Sequence, residues 1–160
     1  MHLGAPATAM RELQELLGYW GNLRRGGRLP RREDIDPRGF KRLLPTVSLI
    51  DVRPEPRDYS LRLAGTGLYT VYGGEITGKS LSDVYSIQAA EYWRKELDQV
   101  VEGRRPQVGT HSLSWRGAGH VNLLWLRLPL ASNGTDVDMI LGYDAVVGVS
   151  SDAFSGIRAA

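Results

Sequence analysis

The residues best suited to chemistry lie between Gly73 and Ser80, where the chain reads GGEITGKS. This stretch fits the pattern G-x-x-x-x-G-K-[ST], in which backbone N–H groups surround phosphates and a lysine reaches the terminal ones. Such a loop works between a buried parallel strand and a helix. The sequence therefore offers one hypothesis, a nucleotide-phosphate site, that depends on the elements around it.

Histidine is the second candidate for chemistry, and the chain has three, His2, His111 and His120. The sequence contains no H-E-x-x-H or G-x-S-x-G motif and no carboxylate pair at a helical spacing that would place an acid beside a base. Strand alternation puts His111 and Trp115 on one face. We interpret His111 as a hydrogen-bonded core residue rather than a haem or metal ligand, and we expect no catalytic activity.

The third candidate is a basic segment, Asn22–Arg42, in which arginine and lysine outnumber the acidic residues although the net charge of the whole chain is only +2. Such a segment could follow the phosphates of a nucleic acid. Aromatic residues do not alternate with the basic ones, as binding of single strands requires. We interpret the segment as a solvated basic surface and keep a nucleic-acid-binding module as an alternative.

Length and composition limit the class of protein. A chain of 160 residues corresponds to about one domain and can bury one core. The absence of cysteine excludes disulfides, thiolate metal sites and cysteine nucleophiles, and fits a reducing compartment. No stretch approaches the roughly 18 apolar residues that a membrane span needs, and residues 1–8 lack the pattern of a secretory signal. We expect a cytoplasmic protein.

The first part of the chain is predicted to be helix and linker. Apolar residues recur at helical spacing over Ala9–Leu23, with Thr8 as the expected N-cap. Asp36 followed by Pro37 is typical of a helix start and predicts a short helix that ends at Leu44. We assign residues 1–45 to an N-terminal helical segment.

The rest of the chain is predicted to be mainly strand, with one long helix, Ile87–Glu102, capped by Ser86. The period of hydrophobicity changes to two at Thr46, and Asn133-Gly134 is a strong hairpin turn. Five strands follow from these patterns: Thr46–Val52, Tyr59–Ala64, Gln107–Arg116, His120–Leu130 and Val137–Val147. We assign residues 46–147 to one core and residues 148–160 to a tail.

This order of elements bears on the phosphate hypothesis. Short connections join the last three strands, so the sheet is expected to be antiparallel. The parallel strand and helix that a phosphate loop requires are then missing. We interpret Gly73–Ser80 as a turn with Lys79 in solvent, and nucleotide-phosphate binding stays the alternative.

The strand that ends at Leu130 is apolar on both faces, so each face needs a cover. We place the leucines under the long helix and the other set on the opposite face: Leu124, Leu126, Leu128 and Leu130 against Val121, Leu123 and Trp125. The N-terminal helix has a matching apolar stripe that includes Leu13, Leu16, Leu17 and Trp20. We expect this helix to pack on the outer face, directly or in a symmetric homodimer whose interface includes Leu13, Leu17, Trp20, Leu123 and Trp125.

The order of elements and several segments resemble a known family. The segments YWGNLRRGGRLPRREDIDP, FKRLLPTVSLIDV, YSLRLAGTGLYTVYGGEITGKSLSDVY and VDMILGY, which together span Tyr19 to about Tyr143, are similar to small bacterial proteins made of one PAS-like domain. The residues Glu75, Gly78, Lys79, Ser80 and Leu81 look like the E-x-x-G-K-S-hydrophobic phrase that precedes the long helix in many PAS domains.

The resemblance implies an α+β fold, a five-stranded antiparallel sheet with helices over one face and an N-terminal amphipathic helix. It also implies a sensory or protein-interaction module in signal transduction, which binds a signalling protein, an unidentified small molecule, or both. It names no cofactor, and the absence of cysteine excludes flavin-adduct and thioester chromophore chemistry. Candidate cavity residues are Tyr72, Tyr85, Trp93, His111 and Trp115.

Overall fold

The computed structural model describes residues 5–72, 74–113 and 118–148. Four α-helices lie in these ranges: α1 (Pro6–Leu23), α2 (Tyr69–Tyr72), α3 (Leu81–Val84) and α4 (Ile87–Gly103). Three 3-10 helices accompany them: Arg32–Asp34, Pro37–Thr46 and Thr66–Leu68. The strands are β1 (Val47–Pro54), β2 (Arg57–Ala64), β3 (Gln107–Leu113), β4 (Ala118–Leu130) and β5 (Met139–Val147).

The five strands form one antiparallel sheet in the order β2-β1-β5-β4-β3. This confirms the predicted antiparallel sheet and the predicted helical and strand elements, with shifts of a few residues at their ends. The first strand pairs with the last, so chain segments that are far apart in sequence meet at the centre of the sheet. Leu49 lies opposite Leu141 in that pairing, and Trp125 lies opposite Asp144 across β4 and β5.

Helix α1 begins earlier than its sequence pattern indicated. Thr8 was the expected N-cap, but the helix starts at Pro6 with Ala5 as N-cap, because proline is favoured in the first helical turn. The buried positions Ala9, Leu13, Leu16 and Trp20 follow the spacing of one helical face. None of the helices in the described part of the chain is both long and apolar enough to cross a bilayer.

The predicted caps of the other helical segments are confirmed. The Asp36 side chain accepts a hydrogen bond from the Arg38 backbone N–H at 3.0 Å, and Ser86 Oγ accepts one from the Ala89 N–H at 3.2 Å. Each bond satisfies a backbone donor that a helix start leaves free. Helix α4 ends at Gly103, and the C-cap residue Arg104 has a left-handed φ of 53°.

The two faces of the sheet have separate covers. Helix α4 lies on what we call the inner face, where its Trp93 packs edge-on against Trp125 with the ring centroids 5.1 Å apart. Helix α1 lies on the outer face, where Trp20 Nε1 donates to the Pro129 carbonyl at 2.9 Å. Tyr143 OH donates to the Ala9 carbonyl at 3.3 Å. The prediction that the N-terminal helix packs on the outer face is confirmed.

The assignment of residues to the two faces was inverted. Leu126 pairs with Tyr143, whose hydroxyl contacts α1, so the four leucines face outward: Leu124, Leu126, Leu128 and Leu130. By the same alternation, the inner face under α4 carries Val121, Leu123 and Trp125. Period-two alternation shows which residues share a face, but it does not show which helix covers that face. The indole ring of Trp125 packs against the tryptophan and tyrosine of α4.

The inversion also corrects the predicted homodimer interface. Leu13 and Trp20 are buried between α1 and its own sheet, and Leu123 and Trp125 have no exposed surface. Side chains that are already covered within one chain cannot contact a second copy. Of the five predicted interface residues, only Leu17 is partly exposed.

Candidate functional site

A buried ion pair lies at the centre of the inner face. Arg127 on β4 and Asp144 on β5 approach to 2.9 Å between Nη1 and Oδ1, and each side chain is 2% exposed. Arg127 Nη2 also donates to Asp144 Oδ2 at 3.2 Å, and Arg127 Nη1 donates to the Tyr143 carbonyl at 3.2 Å. Several hydrogen bonds of this kind are what a buried pair of charges requires to be tolerated.

Glycine makes room for this pair. Gly142 lies opposite both Ser48 on β1 and Arg127 on β4. A Cβ atom at Gly142 would lie 2.6 Å from Ser48 Oγ and 3.1 Å from Arg127 Nη1. The guanidinium therefore lies flat across the sheet in space that any other residue at position 142 would occupy.

Aromatic side chains surround the ion pair. The Arg127 guanidinium carbon is 4.5 Å from the centroid of the Trp93 ring, a distance at which a cation is attracted to an indole face. Trp125 Nε1 donates to Tyr92 OH at 3.0 Å, and Tyr92 stacks on His111 with the centroids 4.1 Å apart. We use the name aromatic cluster for six side chains: Tyr72, Tyr85, Tyr92, Trp93, His111 and Trp125.

Tyr72 joins the aromatic cluster to the ion pair. Its hydroxyl donates to Asp144 Oδ2 at 3.3 Å, and its ring packs edge-on against Tyr85 at 5.5 Å. Burial, followed by the charge of Asp144, raises the pKa of Tyr72 well above its ordinary value. Tyr72 is therefore protonated at any physiological pH and acts as a hydrogen-bond donor.

Four of the five candidate cavity residues come together in the aromatic cluster: Tyr72, Tyr85, Trp93 and His111. Trp115 lies outside the described residues. Sequence reasoning missed Arg127 and Asp144 as members of the site. The signal was present, since each is a lone charge in an otherwise apolar strand, and buried charges are rare unless they are paired.

Side chains fill the space inside this site almost completely. A cavity of about 10 Å³ remains between the ion pair, the aromatic cluster and the strands β1 and β2. Ser48 Oγ and Trp93 Nε1 are buried at this site without a hydrogen-bond partner. A space of that size holds about one water molecule.

The Gly-Lys-Ser stretch is a turn at the sheet edge. The Leu61 N–H donates to the Lys79 carbonyl at 2.8 Å, and Ser80 Oγ donates to Asp83 at 3.0 Å. Lys79 is exposed, as predicted. The helix that follows has four residues, Leu81–Val84, and the strand beside the turn belongs to an antiparallel sheet, so the phosphate-loop geometry is missing. Gly73 lies outside the described residues.

Glu75 holds this turn together. Its carboxylate accepts hydrogen bonds from the Tyr69 hydroxyl and from the Thr77 backbone N–H. These bonds, the one from Tyr69 above all, lower the pKa of Glu75 to about 2. The glutamate at the start of the phrase E-x-x-G-K-S therefore stabilises a turn.

The basic segment divides into two parts. Three of its later arginines, Arg31, Arg38 and Arg42, form ion pairs, with Arg38 2.8 Å from Asp36 and Arg42 2.7 Å from Glu15. Arg24, Arg25 and Arg28 form no ion pair within the described part of the chain. The continuous basic track that a nucleic acid would follow is thus interrupted by carboxylates.

An open groove lies on the outer face, beside the 3-10 helix Pro37–Thr46. Its volume is about 350 Å³, and its walls are mostly apolar side chains of β1, β2 and the 3-10 helix. Leu44 and Leu63 line it and are 38% and 53% exposed. The groove is much larger and more accessible than the inner cavity beside the ion pair.

Comparison with known proteins gives the family. The model of the PAS domain family matches residues 8–144, most of the chain. No curated protein matches it. The chain therefore belongs to the PAS domain family, whose members are sensory signalling modules.

Several solved structures are similar to this chain at low sequence identity. A sensory box sensor histidine kinase from Vibrio cholerae is 12% identical, with 91% of this chain and 100% of that chain covered and a TM-score of 0.49. The Rhodobacter sphaeroides LOV protein is 16% identical, with 74% and 72% covered and a TM-score of 0.49. A PAS domain from Colwellia psychrerythraea is 14% identical, with 64% and 86% covered and a TM-score of 0.45.

Proposed function

We propose that this PAS domain is a non-catalytic regulatory module that transmits a signal through a protein contact made at the outer groove. One observation carries the proposal, the contrast between the inner cavity and the apolar outer groove. The inner cavity measures about 10 Å³ and the outer groove about 350 Å³. A pocket for a small molecule usually measures several hundred Å³, roughly 300 or more, so the inner cavity as it stands does not admit one.

The outer groove has the character of a protein contact. Exposed leucine is ordinary when it stands alone, but an apolar groove with two exposed leucines at its walls is a contiguous patch of the kind that marks an interface. Burying leucine side chains contributes about 1.5 to 3 kcal/mol each. Leu44 and Leu63 are therefore the side chains from which a partner would gain most.

We assign the groove to a second copy of this chain. A two-fold symmetric interface needs one surface that is complementary to itself. The groove supplies both halves of such a contact, because Leu63 on β2 protrudes beside an open apolar depression formed by β1 and the 3-10 helix. This interface replaces the one predicted from the sequence, and α1 stays on its own sheet.

Sedimentation velocity over a range of concentrations tests the assignment. Leu63→Asp is expected to weaken the dimer at least about tenfold, which corresponds to 1.4 kcal/mol. Ile87→Asp is the matched control, because Ile87 is 82% exposed and lies at the start of α4, away from the groove. That variant is expected to dimerise like the unmodified chain.

A monomer at every concentration would show that the homodimer is wrong. A photo-crosslinking amino acid at position 63, compared with one at position 87, then identifies any other protein in the groove. Equal crosslinking at the two positions would contradict a role for the groove itself.

A second candidate function is binding of one small polar molecule at the ion pair, which requires the surrounding side chains to move apart because the cavity as it stands holds about one water molecule. It is favoured by the buried Ser48 Oγ and Trp93 Nε1, which have no hydrogen-bond partner. Native mass spectrometry of freshly purified protein reports copy number and bound molecules together. A bound mass that is lost in Ser48→Ala would support this candidate, and a bare chain would contradict it.

A further inference from the structure

We propose that a basic pocket next to the end of α1 binds the phosphate group of a small phosphorylated molecule. This pocket, which we call the arginine pocket, has a volume of about 220 Å³. It lies between the turn after α1, the end of α4 and the loop between β4 and β5. Three arginines line it: Arg24, Arg28 and Arg104.

The charged residues that line the arginine pocket are all positive. Besides the arginines it contains four glycines, one leucine and one threonine, and no carboxylate. None of the three arginines forms an ion pair with a described residue, whereas Arg31, Arg38 and Arg42 all do. The two carboxylates next to lining residues in the sequence have other partners. Asp136 accepts a hydrogen bond from the Asn133 side chain, and Glu102 pairs with Arg57 at 2.8 Å.

Contacts with the backbone and with Trp20 hold two of the arginines in place. A Cβ atom at Gly134 would lie 2.4 Å from Arg28 Nη2, so the guanidinium rests on a glycine with a φ of +81°. Arg28 also donates to the Asn133 carbonyl. Arg24 Nη2 donates to the Gly27 carbonyl at 3.1 Å, and its guanidinium carbon is 5.3 Å from the centroid of the Trp20 ring. Cations held by fixed contacts lose little freedom when a ligand binds.

The chemistry of this arrangement suits phosphate. A guanidinium presents planar, paired N–H donors that match the oxygens of phosphate, and it is charged at every physiological pH. Several such groups in one concave pocket offset the charge of a dianion. Glycines leave the backbone accessible, which is a common property of phosphate-binding loops.

The shape favours a small molecule over a nucleic acid. A nucleic acid needs an extended basic track and bases stacked on aromatic rings. Three of the arginines that follow the pocket along the chain, Arg31, Arg38 and Arg42, form ion pairs with carboxylates. Trp20 is 3% exposed beneath Arg24. The pocket also lies apart from the outer groove, so this inference does not rest on the proposed homodimer.

Isothermal titration of the full chain with sodium pyrophosphate tests the proposal. A ligand that binds only the native state also raises the unfolding temperature, so thermal unfolding gives a second reading. The double variant Arg24→Gln/Arg104→Gly removes two charges, and glycine suits the left-handed backbone of position 104. We expect pyrophosphate to bind this variant at least about tenfold more weakly.

Arg53→Gln is the matched control, because Arg53 is exposed on β1 and forms no ion pair with a described residue. Its pyrophosphate affinity is expected to stay within about twofold of the unmodified chain. Equal weakening in the control and the double variant would overturn the proposal. So would an equal thermal shift from sodium chloride at matched ionic strength, or binding of an oligonucleotide without any binding of pyrophosphate.

Discussion

The inner and outer faces of the sheet bury different kinds of side chain. The inner face buries an ion pair among aromatic rings, whereas the outer face buries leucines under α1 and leaves an apolar groove open. In a filled polar interior, stability depends on a few specific side-chain contacts. An apolar surface can contact different molecules of similar shape. The inner face therefore depends on a buried set of specific contacts, whereas the outer face leaves apolar surface exposed.

The largest expected effect comes from breaking the inner ion pair. Asp144→Ala leaves the Arg127 guanidinium buried without its carboxylate and should lower the free energy of unfolding by about 3 to 5 kcal/mol. Urea unfolding measures this change. The control is Arg62→Ala, which removes an exposed pair with Asp51 and should cost no more than about 1 kcal/mol.

A double variant sharpens the same experiment. Arg127→Met/Asp144→Leu removes both charges and should unfold at a higher urea concentration than Asp144→Ala. Equal stability of the two variants would mean that packing around the pair, rather than an uncompensated charge, causes the loss.

On the outer face, stability should depend on side-chain volume rather than on charge. Leu16 on α1 has no exposed surface, so Leu16→Ala should lower the free energy of unfolding by about 2 to 5 kcal/mol through lost burial and a cavity. Leu17 is its partly exposed neighbour, and Leu17→Ala should cost less. Similar losses in both variants, measured by urea unfolding, would show that α1 does not pack in one fixed orientation.

The next prediction concerns pH and the aromatic cluster. Burial lowers the pKa of His111 below its ordinary value of 6.5. The unfolded chain then takes up a proton at a higher pH than the native one, so stability is full above about pH 6.5 and falls as the pH drops toward the native pKa.

His111→Phe keeps a ring beside Tyr92 and removes the titration. The difference in unfolding free energy between about pH 7.5 and pH 5.5 should therefore be smaller in this variant. The measurement is urea unfolding at each pH. Identical differences in the two proteins would assign the pH dependence to other groups.

The smallest effect is expected at the sheet edge. Lys79→Ala should change the free energy of unfolding by no more than about 0.5 kcal/mol, because Lys79 is exposed. Nucleotide binding at micromolar MgATP that this variant abolishes would restore the phosphate-loop hypothesis. Binding that survives in Lys79→Ala but weakens in Arg24→Gln/Arg104→Gly would place the phosphate in the arginine pocket.

Local patterns in the sequence determined the elements of this protein. Helical spacing predicted α1 and α4, period-two alternation and the turn at Asn133-Gly134 predicted the strands, and Ser86 and Asp36 predicted helix starts. The antiparallel order also predicted a turn in place of a phosphate loop, and the described residues 74–80 form that turn. These features depend on residues a few positions apart, where spacing and backbone preference act directly.

Tertiary structure decided what lies on each side of the sheet. Alternation along β4 gave two apolar faces, but only the packing of α1 and α4 showed that Trp125 faces inward and Leu126 outward. The pairing of Arg127 with Asp144 likewise depends on the register of β4 and β5, since the two residues are 17 positions apart. Contacts of this kind depend on how whole elements dock, and the arginine pocket likewise needs three segments that meet only in the folded chain.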